Sequence, residues 1–348
     1  MEKIYFMSDY LEGCHPKILD ALVKTNFEQT PGYSEDYHSQ NAKALIKDCL
    51  SLPDSDVHIL VGGTQTNLTV IAATLRPHQG VICADSGHIN VHETGAIEAC
   101  GHKVLGLKSQ NGKITAKQIE EYFEKHHSDP SFEHIVQPGM VYISFPTESG
   151  TIYSKQELCE IYEVCKKCEL PLFIDGARLG YGLASTENDL TIKEIARLCD
   201  VFYIGGTKCG ALFGEAVVIN LERLKKDFRY IIKQKGGMLA KGRLLGIQFE
   251  TLFTDELYFD ICKGAVEKAM LIRDAFVERG IKMGGTSSTN QQFPILTPAQ
   301  IEYLNEFYAY EIWEKLDDGN ILVRFCTSWA TTDQAVSRLI SHIKTMPL

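Results

Sequence analysis

Two apolar runs in this 348-residue chain each end in a side chain that can do chemistry. Pro171-Leu172-Phe173-Ile174 leads into Asp175-Gly176-Ala177-Arg178, and Val201-Phe202-Tyr203-Ile204 leads into Gly205-Gly206-Thr207-Lys208. Two buried strands that deliver a carboxylate and an amine in this way form a grip for pyridoxal phosphate, one at its ring nitrogen and the other at its aldehyde. Asp175 is the residue to keep the pyridine nitrogen protonated, since an opposite charge close by favours the charged form. Lys208 condenses with an aldehyde only when unprotonated, a state that burial and neighbouring positive charge promote. Gly205, Gly206 and Gly210 leave room beside it for a flat ring.

Two upstream turns extend the set. The apolar run 57–61 is followed by Gly62-Gly63-Thr64-Gln65, which reads as strand, glycine turn and helix start. Backbone amides at a helix N-terminus, with the Thr64 hydroxyl beside them, suit a phosphate dianion. Val81-Ile82-Cys83-Ala84 leads to a polar turn that ends at His88, placed to lie on a ring face or to act as a base. Taken singly, each turn is an ordinary strand-to-helix connection. The order of all four points to one site.

The elements that must position them alternate. Apolar strands near 57–61, 81–84, 103–107, 140–145, 171–175, 201–204 and 215–219 are separated by helical stretches such as 154–168 and 191–198. This predicts an α/β fold with a mostly parallel seven-stranded sheet between helices. Ligands of such sheets sit at the carboxyl ends of the strands, where the four motifs fall. Beyond about residue 241 a helical stretch, a helix at 263–280, strands at 292–296 and 321–325 and a closing helix at 332–344 predict a smaller α+β unit. The expected division is 1–240, a large cofactor-binding domain, and 241–348, a small C-terminal domain.

Composition narrows the function. A formal charge of −10 argues against a nucleic-acid binder, which shows a basic face. The basic residues Lys225, Lys226, Arg229, Lys233 and Lys235 fit a solvated helix or a subunit contact better. No apolar stretch reaches the roughly eighteen residues that span a membrane, and Met1 to Asp9 do not read as a signal peptide, so a cytoplasmic protein is expected. Eleven cysteines, an odd number, suggest reduced thiols. Cys165-Lys166-Lys167-Cys168 has no second pair to complete a metal site, and no metal is expected.

The succession of Gly63-Thr64, His88, Asp175-Gly176-Ala177-Arg178-Leu179, Gly206-Thr207-Lys208 and Leu322-Val323-Arg324-Phe325 resembles the threonine aldolase and β-eliminating lyase family. These are pyridoxal-phosphate enzymes of the aspartate aminotransferase fold, fold type I. The likeness runs from Met7-Ser8-Asp9 to Thr327-Ser328-Trp329. It implies that Lys208 bonds the aldehyde, that Asp175 faces the pyridine nitrogen, and that Gly63 and Thr64 cup the phosphate. His88 would lie on the ring face, with Thr207 and Arg178 beside the cofactor. Arg178 and Arg324 would clamp the substrate carboxylate, a planar guanidinium matching it with paired hydrogen bonds, near Ser8. Tyr33 would reach the site of a neighbouring subunit, so the N-terminal segment 1–50 would lie at the interface of a homodimer or homotetramer.

Two departures from the family follow. Its Glu-Asn-Thr-His segment is replaced by Pro146-Thr147-Glu148-Ser149-Gly150, leaving His88, Glu148 or a water as the base for the β-hydroxyl proton. The Arg after its Gly-Gly-Met is Leu239 here, with Lys241 and Arg243 beyond as cations for a partner's phosphate. The reaction implied is cleavage of L-threonine or L-allo-threonine to glycine and an aldehyde. The alternatives are β-elimination or transamination on the same scaffold, or a non-catalytic cofactor-binding protein.

Overall fold

The structure is a computed structural model that describes residues 3–347; Met1 and Glu2 of the N-terminal segment, and Leu348, lie outside it. After a short strand β1 (Ile4–Tyr5), the chain builds seven strands that join in one sheet. They are β2 (Asp56–Leu60), β3 (Gln79–Ala84), β4 (Lys103–Leu107), β5 (Gln137–Ser144), β6 (Leu172–Asp175), β7 (Val201–Gly205) and β8 (Glu215–Ile219). The order is β2-β8-β7-β6-β5-β3-β4, with β8 antiparallel to both neighbours and the rest parallel.

The near-continuous apolar runs of β6, β7 and β8 follow from cover on both faces. On one face Ile143, Ile174, Phe202, Ile204 and Val218 pack with residues of helices Tyr37–Leu50, Lys155–Lys167 and Arg243–Phe253. On the other, Tyr142, Phe173, Tyr203 and Val217 pack with Val70 and Ile71 of helix Gly63–Thr74. Local signals start the covering helices: Ser154 with Glu157, and Thr191 with Glu194, form reciprocal capping boxes.

Short strands β9 (Gln291–Gln292), β10 (Ile295–Leu296), β11 (Tyr308–Ala309), β12 (Glu311–Lys315) and β13 (Ile321–Cys326) complete the chain with helices Leu257–Glu278, Pro298–Asn305 and Asp333–Thr345. Strand β1 pairs with β11, so Phe6 joins the core formed by Ile272, Phe276, Val323, Phe325 and Leu339. That pairing carries Ser8 and Asp9 toward the sheet. The basic stretch after Leu221 forms two short helices, Glu222–Lys225 and Phe228–Gln234. Among the described residues no helix is long and apolar enough to cross a membrane.

Candidate active site

Side chains two apart on a strand share a face. Asp175 therefore lies on the face of Phe173, the same face as Tyr142, Tyr203 and helix Gly63–Thr74. The consequence is a carboxylate fully served by donors. Tyr142 and Tyr203 each donate at 2.5 Å, Asn67 at 3.0 Å and the Ala177 amide at 3.0 Å. Burial alone would raise the Asp175 pKa, but the two tyrosine hydrogen bonds and the His88 charge outweigh it and hold the carboxyl below its ordinary value. The turn after it needs Gly176, because a Cβ there would stand 1.9 Å from the Tyr203 carbonyl oxygen.

Lys208 follows β7 in a loop that folds back to β8. The Tyr181 hydroxyl donates to the Lys208 carbonyl at 2.5 Å, and Gln248 accepts from the Leu212 amide at 2.8 Å. Burial and the Arg178 charge lower the Lys208 pKa, favouring the free amine. A cavity of about 330 Å³ brings together Lys208, Asp175, His88, Glu148, Arg178, Thr207, Gly63 and Thr64. Those eight expected site residues share one space at the carboxyl ends of the strands.

His88 begins a single helical turn; its Nδ1 lies 2.8 Å from Oε1 of the buried Glu93. Burial would lower the imidazole pKa, yet the Glu93 bond and the Asp175 charge raise it. Glu93 Oε1 also accepts from Asn67 at 2.7 Å, so one chain of contacts links His88 to Asp175. Glu148 accepts from Ser144 Oγ at 2.8 Å and from the His88 amide at 2.9 Å, both on Oε1. Burial raises its pKa.

Other expected residues stand apart. Asp9 takes the Arg178 guanidinium through Nε at 2.7 Å and Nη2 at 2.9 Å. Arg324 lies outside the cavity lining, bonded to Glu311, to Gln291 at 3.0 Å and to the Met7 carbonyl at 3.1 Å. Ser8 is buried with an unpartnered hydroxyl. Tyr33 is 44% exposed, 4.8 Å from Lys233 Nζ, and Lys241 is exposed; neither lines this chain's cavity.

Sequence reasoning missed Asn67, Glu93, Tyr142, Tyr203 and Glu215. The signal for Tyr142, Tyr203 and Glu215 was polar atoms inside apolar strands, in phase with the strand ends that carry the motifs. Asn67 and Glu93 follow motif residues by one helical turn or so and gave no signal of their own.

The donor set fits pyridoxal phosphate. Helix Gly63–Thr74 starts with no side-chain cap, leaving its first amides to the cavity. Asp175 is held ionised, as a partner for a pyridinium must be, and Lys208 is pushed toward the free amine. The sequence profile of the β-eliminating lyase family matches residues 6–284. A low-specificity L-threonine aldolase from a Pseudomonas species is 28% identical over 345 residues, 97% of this chain and 96% of that protein. A threonine aldolase structure from Leishmania major superposes with a TM-score of 0.95 at 46% identity, over 98% of this chain and 99% of the other. An aspartate aminotransferase from Thermus thermophilus shares the fold, with a TM-score of 0.71 at 11% identity, covering 99% of this chain and 91% of that one. With its profile match and its full-length likeness to a solved threonine aldolase, this chain belongs to the threonine aldolase and β-eliminating lyase family of pyridoxal-phosphate enzymes.

Proposed function

We propose that the protein is a pyridoxal-phosphate-dependent lyase that splits the Cα–Cβ bond of L-threonine or L-allo-threonine, giving glycine and an aldehyde. One observation carries this reading: Lys208, an ionised Asp175 and a carboxyl at Glu148 share one cavity in a chain 46% identical to a threonine aldolase. When bound, the cofactor supplies an electron sink for the carbanion left at Cα.

The chain's own residues do the rest. Asp175 would hold the pyridine end, and the uncapped amides of Gly63 and Thr64 would hold the phosphate. Arg178, fixed by Asp9 through Nε and Nη2, keeps Nη1 for the substrate carboxylate. Arg324 and Ser8 stand behind it at the N-terminal strand. His88, oriented by Glu93, would lie against the cofactor. Glu148 takes the β-hydroxyl proton: both its donors meet Oε1 and neither meets Oε2, and burial makes its carboxylate a stronger base.

We also propose a homo-oligomer with a shared site. Leu19, Val23, Phe27, Tyr37 and Tyr230 expose large apolar surface around the segment that carries Tyr33. Arg243 is spent on the carbonyls of Thr25 and Asn26, at 2.7 and 3.2 Å, which leaves Lys241 as the cation for a partner's phosphate. Free thiols at all eleven cysteines support a reducing, cytoplasmic location. We also propose a two-unit division, 1–240 and 241–348; helix Arg243–Phe253, which opens the second unit, packs in the core of the first and would bridge them.

The test is to incubate the cofactor-loaded protein with each threonine diastereomer and identify the products. Glycine with acetaldehyde is expected; ammonia with a 2-oxo acid would replace this reading by elimination. Light scattering on the same sample should give at least a dimer, and a fully active monomer would remove the shared site.

A further inference from the structure

Glu215 opens β8 and lines the same cavity as Thr207, Lys208 and the 62–64 turn, yet it is only 3% exposed. Its donors are both neutral. The Gly206 amide meets Oε2 at 3.1 Å, and the Thr207 hydroxyl lies 2.8 Å from Oε1. Thr207 Oγ1 in turn accepts from the Gly214 amide at 3.0 Å. A buried carboxylate served only by neutral donors is costly, and more so where a phosphate dianion is to sit.

A hydroxyl has one hydrogen to give. While Glu215 is ionised, Thr207 gives that hydrogen to Oε1 and has none for a ligand. A proton on Oε1 reverses the bond: Glu215 then donates to Oγ1, which still accepts from Gly214, and the Thr207 hydrogen is released toward the cavity. Oε2 is already the acceptor for Gly206, so Oε1 is the oxygen that carries the proton. The geometry points to Glu215 as a positioning residue of the phosphate site, a neutral carboxyl that makes Thr207 a hydrogen-bond donor to the cofactor phosphate. This rests on the cofactor reading above and adds a residue to it.

Electrostatics agree. Burial raises the Glu215 carboxyl to about 8, with the Thr207 bond and Lys208 opposing and Asp175 reinforcing the rise. The titratable groups facing it are Lys208 on the returning loop, Asp175 at the end of β6 and Tyr203 on β7; Tyr10, His88, Glu148 and Arg178 stand elsewhere around the cavity, whose lining takes no residue from helix Arg243–Phe253. Below about pH 8 the carboxyl is neutral and Thr207 is free to donate. Above it, Thr207 turns back to the carboxylate and a negative charge faces the phosphate.

The experiment compares the wild-type holoenzyme with Glu215→Gln, whose amide donates to Thr207 at every pH. Cofactor dissociation is measured by dialysis on both sides of about pH 8, and the bound phosphate is followed by ³¹P NMR. In the wild type, dissociation should rise about tenfold more than in the variant, the worth of one hydrogen bond to a charged group, and the ³¹P resonance should titrate. In Glu215→Gln the resonance should hold still. Identical pH responses in the two proteins would overturn the proposal. Should Glu215→Gln fail to fold, infrared spectra of Glu148→Gln, which removes the other carboxyl that burial raises, decide: a carboxylic-acid band lost through about pH 8 supports the assignment, and no such band overturns it. Absence of any protein-bound ³¹P resonance would instead overturn the cofactor reading itself.

Discussion

The two ends of the central sheet hold cavities of opposite character. The larger, about 460 Å³, lies at the amino ends of the strands, lined by Arg76, His127, Gln137, Glu169 and Arg223. The smaller, about 330 Å³, lies at the carboxyl ends and holds Lys208, Asp175, His88, Glu148 and Glu215. At the amino end the charged side chains point into solvent and are exposed, so water screens them from one another. At the carboxyl end burial and mutual contact move the pKa of every one of those five groups. Volume therefore does not mark the site. Shared burial of opposed titratable groups does.

The sharpest way to break this comparison is to mutate one residue at each end. Lys208→Ala should lower aldolase activity by more than about 10³-fold, while Arg223→Ala should change it by less than about twofold. A large loss with Arg223→Ala would return the larger cavity to the chemistry. The next effect falls on stability. Buried Asp9 carries the Arg178 fork, whose side chain is only 12% exposed, on its cavity side, and Asp9→Asn leaves that guanidinium without its counter-charge, costing about 3 kcal/mol in denaturant unfolding. Burial opposes the Asp9 charge, but Arg178 and Lys208 prevail and hold the carboxyl at about 2. Its folded-state pKa lies below the ordinary 3.8, so this stabilisation is complete above pH 3.8 and is lost as pH falls through about 2.

Glu148→Gln should cost about 10²-fold in kcat/KM, the ordinary worth of a positioned base. Burial raises the Glu148 pKa, so the rate of the wild type should climb with pH as the carboxylate forms. The variant should lack that rise. A pH profile unchanged by Glu148→Gln would move the proton to His88 or to a water.

Much of this was legible in the sequence, and the division has a physical reason. Motif residues sit at strand ends, where an apolar run stops and glycines begin, so local pattern placed Asp175, Lys208, Gly63, Thr64 and His88 at one end of the sheet. The groups that tune them depend on which strands become neighbours. Tyr142 and Tyr203 reach Asp175 only because β5 and β7 flank β6, and inside their own runs they read as core. Arg178 and Arg324 were read as a clamp for the substrate carboxylate, while Arg178 is held by Asp9, 169 residues away, and Arg324 by Glu311 on the neighbouring strand β12. Strand β12 escaped notice because its residues are mostly exposed and charged, as at a sheet edge.

His58 sharpens the comparison from the other side, as a shifted group in a third pocket, which it shares with Glu35, Lys43 and Arg229. It lies on the edge strand β2 with its ring centroid 5.2 Å from that of Phe228 and its Nε2 buried without a partner. Burial first, then the charges of Lys43, Arg229 and Lys47, push its pKa down to about 3. The unfolded chain takes up the proton near pH 6.5, before the folded one does. The folded state thus keeps its full advantage above pH 6.5 and loses it as pH falls toward 3. His58→Phe keeps the ring contact and removes the titration, so the variant should be about 1 kcal/mol more stable than wild type at mildly acidic pH, the ring's partial exposure keeping the gain small. Activity should not change. A drop in activity would mean that a shifted group in this third pocket can report chemistry, and that the carboxyl end of the sheet is not the whole site.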